Sequence, residues 1–220
     1  REAQRQPQAA AEAQAKEQAA AQLQREYDAA VAANNWELAR IHGTALLAQY
    51  PGTPAAAAVE PALADVTARA EAAREHGRLA AVGNYARIAA GKGEQRTAAI
   101  FSKEPVDTGG SAPATVQLVI RDHPEWKRSA YLVLQGGDFD CYGGCRIKVA
   151  FDDAAARPMS AWRPKTDEAI AMFIEDYRGL WKQMRKSRVL KIEFPVKAGG
   201  TRTAMFEVGG LDGSQMPGWD

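Results

Sequence analysis

The chain has almost no net charge, two cysteines and no long hydrophobic run. Its 220 residues contain 28 Lys plus Arg against 27 Asp plus Glu, which leaves a formal charge of +1. This balance supplies no basic field for phosphate contacts, so we expect no nucleic-acid partner. No apolar run reaches the roughly 18 residues of a membrane span, so membrane anchoring would need a segment absent from this chain. Because the chain starts at Arg1 without a basic and apolar leader, we expect a mature or trimmed fragment.

Catalytic and cofactor-binding motifs are also absent. Of the three histidines, only His123 lies in a loop beside an acid, Asp122, and no nucleophile-elbow motif accompanies the pair. The segment Gly91–Arg96 begins like a dinucleotide-binding loop, but Arg96 occupies the third glycine position and no predicted strand precedes the segment. We therefore predict a non-enzymatic protein with no catalytic residue and no cofactor.

Four aspartates flank the cysteine loop and the strand that follows it. Carboxylate oxygens are the ligands that a hard cation such as Ca²⁺ prefers. Aspartate is also common in turns, where its side chain bonds the backbone, and this interpretation is simpler. We predict no metal site, although the sequence leaves open whether a cation binds at Asp138, Asp140, Asp152 or Asp153.

The two cysteines, Cys141 and Cys145, flank a Tyr-Gly-Gly tripeptide. A pair at this spacing in a glycine-rich loop can close a small disulfide ring, whereas a structural zinc site needs four ligands and no second Cys or His pair is present. We predict a disulfide. Because the ring is short, it should stabilise the fold by only about 2 kcal/mol. A disulfide would imply an oxidising compartment.

The first 82 residues are rich in Ala and in other helix-forming residues. Residues 1–24 have no apolar stripe and predict a solvated helix or a frayed tether. From Leu23 onward, apolar residues recur at helical spacing, with breaks at Asn34-Asn35 and at residues 50–54. We predict a helical hairpin subdomain over residues 25–82. It resembles one tetratricopeptide-like hairpin, but no second copy follows, and a small Ala-packed helical subdomain is the simpler interpretation.

Residues 83–220 predict a β-sandwich domain or a compact barrel. Short β-branched or aromatic segments alternate in hydrophobicity and are separated by Gly, Pro, Asp or Ser, as in half-buried antiparallel strands. One helix is predicted over residues 167–186, because apolar residues from Ile170 to Met184 fall at helical spacing and should pack on the sheet. The predicted fold class is α+β. The predicted strands are Thr97–Phe101, Thr115–Arg121, Ala130–Gln135, Arg146–Phe151, Met159–Trp162, Val189–Val196 and Thr203–Val208.

Four segments follow the pattern Phe-x-Cys, Cys-x-Val-x-Val-x-Phe-Asp, a helix, and Phe-x-Val-x-Gly-Leu: Gly137–Cys141, Cys145–Asp153, Phe173–Tyr177 and Phe206–Leu211. In this pattern the chain resembles a group of uncharacterised exported bacterial proteins. The last element is also similar to that of type VI secretion-associated accessory lipoproteins. The resemblance covers roughly Tyr85 to Trp219, with Ile147 at the first Val position and a shorter loop between the cysteines. It implies a β-rich periplasmic module, often lipid-anchored, with no catalytic residues to carry over.

One candidate binding surface is basic and lies on the predicted helix. Arg178, Lys182, Arg185 and Lys186 project within an arc of about 100° beside the apolar stripe. This face could bind an anionic partner. Bases late in a helix are also what the helix dipole favours, and that is the simpler explanation.

The other candidate lies in the polar loop over residues 122–128. Trp126 belongs to no apolar stripe and is followed by Lys127 and Arg128, which is the composition of an interface anchor with a charged rim. The alternative is a Trp that folds back over the sheet edge. The sequence leaves both interpretations open.

Together these features predict a non-enzymatic exported module, periplasmic or associated with the outer envelope of a bacterium. Its helical part would space or present a β-rich domain that binds a protein or a cell-envelope component. An alternative from another class is an inhibitor or immunity protein against a cell-wall hydrolase or secreted toxin. Small disulfide-bonded β-sandwiches outside the cytosol suit that task as well.

Overall fold

The computed structural model describes residues 2–166 and 169–220, with side chains from Gln8 onward. The chain divides into two compact units, Arg1–Glu75 and His76–Asp220. Helices make up the first unit and antiparallel strands dominate the second, so the predicted α+β class is confirmed. Within the described residues, none of the helices combines the length and hydropathy of a membrane span.

The helical unit contains α1 (Glu2–Ala32), α2 (Trp36–Gln49) and most of α3 (Pro54–Ala80). Helix α1 ends and α2 begins at the predicted Asn34-Asn35 pair. Asn34 adopts a positive φ of 55°, and the Asn35 side chain caps α2 by accepting the N–H of Leu38. Large side chains are few in this core, which accounts for the alanine-rich composition. The buried residues are Ala20, Tyr27, Ala30, Ala39, Leu46, Ala55, Ala56, Val59 and Val66.

The second unit is built on one nine-stranded antiparallel sheet with the order β1-β2-β3-β4-β7-β6-β5-β8-β9. Its alternating segments form strands because one face of each is apolar and faces a shared core. The strands are β1 (Asn84–Ala90), β2 (Gly93–Phe101), β3 (Gln117–His123), β4 (Lys127–Leu134), β5 (Cys145–Phe151), β6 (Arg157–Trp162), β7 (Ile170–Ile174), β8 (Val189–Pro195) and β9 (Thr201–Glu207).

The sheet curls strongly instead of forming an open layer. Just beyond β2, the N–H of Lys103 donates to the carbonyl of Met205 on β9, with 2.7 Å between nitrogen and oxygen, although the two strands are far apart in the strand order. Phe139 and Val196 form a further bridge. Side chains from both halves of the sheet thus meet in one core, giving a sandwich-like arrangement.

The helix predicted over residues 167–186 is wrong in its first half. Ile170–Ile174 forms β7 between β4 and β6, and the helix that packs on the core, α4, covers Tyr177–Met184. Asp176 starts α4 by accepting the N–H of Gly179. The apolar spacing of Ile170–Ile174 fits a helix and a strand alike, and pairing with two neighbouring strands decides between them. Residues 167 and 168 lie outside the described residues.

Strand β1 was also missed by the sequence analysis. It is an edge strand whose side chains are mostly exposed, so its hydrophobicity does not alternate. The dinucleotide-like segment Gly91–Arg96 therefore does follow a strand. It forms the turn of the β1–β2 hairpin and the start of β2, with Ala90 paired to Gly93, and no helix follows the glycines.

Candidate anion-binding surface

Helix α4 points its apolar residues into the core and its bases outward. Leu180, Trp181 and Met184 are completely buried. Arg178 and Lys182, one turn apart, consequently lie on the exposed face, and two further bases follow directly after the helix. The amphipathic pattern of this short helix therefore sets up a basic surface.

Arg128 joins these bases from β4, about fifty positions earlier in the chain. Its guanidinium lies over the indole ring of Trp219, 5.5 Å from the ring centroid, and donates to the carbonyl of Gly218 and to Asp122. These contacts hold the side chain against Trp219, whose ring packs edge-on against Tyr177 and Trp181 of α4. The result is an open groove of about 470 Å³, called here the basic groove, lined by Arg128, Arg178, Lys182, Arg185, Lys186, Gly218, Trp219 and Asp220.

Positive charge in the basic groove is only partly compensated. Arg185 lies 3.7 Å from Asp220, and Arg128 lies 3.0 Å from Asp122. Within the described part of the chain, Arg178, Lys182 and Lys186 form no ion pair. Five bases against one lining carboxylate make this groove a local source of positive potential in a chain that is nearly neutral as a whole.

The loop predicted over residues 122–128 is shorter in the structure: Asp122 pairs with Arg128 and His123 with Lys127, so only residues 124–126 connect β3 to β4. His123 is buried, and its Nδ1 accepts the backbone N–H groups of Glu125 and Trp126, each at 3.1 Å. The imidazole therefore shapes the turn. Trp126 is 64% exposed and stacks on the His123 ring with 4.0 Å between centroids, so it packs on the turn while keeping most of its surface free. Lys127 closes the turn with a positive φ of 63°.

A second groove begins beside Trp126 on the outer face of β3, β4, β6 and β7. It has a volume of about 480 Å³ and is called here the aromatic groove. A shallow depression shares Arg128 and Tyr177 with this groove and shares Arg128 and Arg178 with the basic groove. Its other lining residues are Asp122 and Lys127. The lining residues of the aromatic groove are Arg121, Trp126, Arg128, Ser129, Trp162, Phe173, Ile174, Glu175 and Tyr177.

The structure thus brings most of the candidate binding residues together. Trp126 lies in the β3–β4 turn, and Lys127 and Arg128 begin β4 directly after it. Arg178 lines the same shallow depression as Lys127 and Arg128. Trp162, at the end of the predicted strand Met159–Trp162, also lines the aromatic groove. The local sequence does not predict that Trp162 is exposed, because a Trp at the end of a strand can face either the core or the solvent.

The cysteine loop is held in place by a disulfide and by an ion cluster. Cys141 and Cys145 are bonded, as predicted, and the carbonyl of Cys141 accepts the N–H of Arg163 at 3.0 Å. The Arg163 guanidinium, buried except for 4% of its side-chain surface, pairs with Asp138, and Lys197 Nζ lies 2.8 Å from the same carboxylate. Burial raises the pKa of Asp138, but hydrogen bonds and charge from Lys197 and Arg163 outweigh this effect and hold the pKa below its ordinary value.

The cation-site candidates include two aspartates with clear protein partners. Asp138 is neutralised by the arginine and lysine just described. Asp152 accepts the backbone N–H groups of Val189 and Arg188, each at 2.9 Å, and these hydrogen bonds lower its pKa. Among the residues that the structure describes, no group of three or more His, Cys, Asp or Glu side chains is placed to hold a metal ion.

Comparisons with protein-family models, curated proteins and solved structures returned no match. The resemblance to exported bacterial proteins therefore stays a prediction from the four segments of sequence. What can be concluded about function depends on the geometry of the two grooves.

Proposed function

We propose that the chain is a non-enzymatic binding module of an exported bacterial protein, located in the periplasm or at the outer envelope. Its sheet unit binds an anionic protein or envelope component through the basic groove. The helical unit spaces or presents the sheet unit, and lipid anchoring through a segment outside this chain is compatible with that role.

One observation carries the proposal: Arg128 lies with the bases of α4 around a single groove. The helix dipole explains why bases follow α4, but it does not explain a base contributed by β4. Clustering like charges costs free energy, because each raises the potential felt by the others. A bound anion offsets this repulsion. Arg178, Lys182 and Lys186, which form no ion pair within the described residues, remain available to bind it.

Two features support the exported location. The Cys141–Cys145 disulfide favours an oxidising compartment, since thiols are kept reduced in most cytosolic proteins. The resemblance of the cysteine loop and the last strand to exported proteins points to the same place.

The test is binding of the full chain to three anionic probes: polyglutamate, polygalacturonate and phosphatidylglycerol vesicles. We expect at least one probe to bind, with an affinity that falls as salt rises from about 50 to about 200 mM. The variant Lys182→Glu/Lys186→Glu should remove binding. Its matched control is Lys92→Glu/Lys191→Glu, which changes two exposed bases outside the groove by the same charge. Binding that is absent, or equally reduced in both variants, contradicts the proposal.

A further inference from the structure

The aromatic groove has two exposed tryptophans as its walls. Trp126 is 64% exposed and Trp162 is 42% exposed, and both line the same depression. Tryptophan offers a large apolar ring with a single polar N–H, and exposing it forfeits the free energy that burial would provide. Two such rings around one groove mark a surface whose apolar area is completed by a ligand.

Both rings are held rigidly before any ligand binds. Trp162 stacks on Phe173 with 4.9 Å between centroids and an angle of 17° between planes. Trp126 stacks on His123 at 4.0 Å and 12°. A ring that is already fixed loses little rotational freedom on binding, so its contact area contributes to affinity without a large entropic cost. The geometry suits a ligand with flat apolar faces.

Besides the tryptophans, the lining of the aromatic groove combines apolar residues with polar ones. Nε of Arg121 and Oγ of Ser129 are buried and have no hydrogen-bond partner within the described residues. Neither atom is exposed, so a ligand in the groove contacts other polar groups of its lining, such as the Arg128 guanidinium. Glu175 adds an acceptor at the rim of the groove. A ligand of this groove therefore needs hydrogen-bonding groups at its edges as well as apolar faces.

A sugar ring meets both requirements, because C–H bonds form its faces and hydroxyl groups its edge. Arg128 lines both the aromatic groove and the basic groove. A ligand that spans both must therefore also carry negative charge at the end that meets the five bases of the basic groove. We propose that the two grooves together bind an acidic oligosaccharide, with a sugar ring between Trp126 and Trp162 and an anionic group among the bases of α4. This inference names the ligand class of the proposed function and rests on it.

Other anionic ligands fit the surface less well. An acidic peptide could place an apolar side chain against Trp126, but a chain of acidic residues has no flat apolar ring face to lie between Trp126 and Trp162. A phospholipid headgroup could reach the basic groove, but phosphatidylglycerol carries no ring to stack on the tryptophans. Charge complementarity alone would allow all three ligands, and the aromatic groove selects among them.

The experiment measures binding of the full chain to hexagalacturonate and hexaglutamate by titration calorimetry. We expect hexagalacturonate to bind more tightly. Trp126→Ala should weaken hexagalacturonate binding on the order of 30-fold, as for an interface anchor, and leave hexaglutamate binding within about twofold. Phe101→Ala, which removes another exposed aromatic outside the groove, is the matched control and should change neither affinity. Because Trp126 is mostly exposed, the variant should stay folded, and circular dichroism checks this.

The outcomes separate the inference from the proposed function. If Lys182→Glu/Lys186→Glu removes binding of both ligands but Trp126→Ala affects neither, the basic groove binds anions and the sugar assignment is wrong. Equal or tighter binding of hexaglutamate also overturns the sugar assignment. If neither hexamer nor any of the three anionic probes binds, the proposed function fails as well.

Discussion

Asp138 and Lys197 form an ion pair beside the disulfide loop, with 2.8 Å between the carboxylate Oδ2 and Nζ. The same carboxylate also pairs with the buried Arg163, and the Tyr142 hydroxyl lies 3.3 Å from it. One carboxylate thus ties the cysteine loop to the segment after β6 and to the turn after β8. This arrangement leads to the first two predictions.

Asp138→Asn should destabilise the protein by about 3 kcal/mol, because it leaves the buried Arg163 guanidinium without a counter-charge. Urea unfolding measures the loss. The matched control is Glu193→Gln, which breaks the exposed pair with Lys148 and should cost less than about 1 kcal/mol. Equal effects of the two substitutions would show that the Asp138 cluster makes no special contribution.

The Asp138 cluster should also make the free energy of unfolding depend on pH in the acidic range. The pKa of Asp138 is lowered in the folded protein. Its contribution is therefore fully present above the unfolded-state pKa of about 3.9 and is lost as the pH falls through the lower folded-state pKa. Unfolding free energy measured from pH 6 downward should fall less steeply for Asp138→Asn than for the unmodified chain. Parallel curves would contradict the prediction.

Reducing the Cys141–Cys145 bond should lower the unfolding free energy by only about 2 kcal/mol, because the closed ring is short. Thiol titration of unreduced, denatured protein should find no reactive thiol. The double variant Cys141→Ala/Cys145→Ala should match the reduced protein in stability and still unfold cooperatively. Two titratable thiols in the native protein would argue against the bond and would weaken the case for export.

Trp126→Ala should cost no more than about 1 kcal/mol of folding stability, since the ring is mostly exposed. It loses its stacking on His123 and the Arg121 guanidinium that lies 5.2 Å from its centroid, both near the surface. Trp181→Ala is the contrasting variant. That ring is completely buried, so its removal should cost about 3 to 5 kcal/mol. Thermal unfolding followed by circular dichroism compares them, and an early-melting Trp126→Ala would mean that the side chain is part of the core.

A fragment over residues 76–220 should fold alone and be more stable than one over residues 83–220. The end of α3 belongs to the sheet unit: Arg78 pairs with Glu207 at 2.8 Å, and Leu79 is buried. Gly210 lies so close to the Leu79 backbone that a Cβ there would overlap it. Urea midpoints of the two fragments test this, and equal midpoints would show that residues 76–82 contribute nothing.

Local sequence patterns were sufficient for much of the fold. Alternating apolar residues located seven of the nine strands, although with shifted ends. The Asn34-Asn35 break, the start of α3 and the cysteine pairing also followed from residues close together in the chain. Each of these features depends on short-range rules: capping, side-chain periodicity or the reach of a short loop.

Contacts between distant segments decided the rest. Ile170–Ile174 became a strand because β4 and β6 supply hydrogen-bonding partners on both sides, a choice that its own ambiguous periodicity does not contain. Arg128 lines one groove with Lys182, and Trp126 lines another with Trp162, because of the strand order and the curl of the sheet. A one-dimensional pattern records which residues share a face of one element, whereas only the packed sheet determines which faces become neighbours.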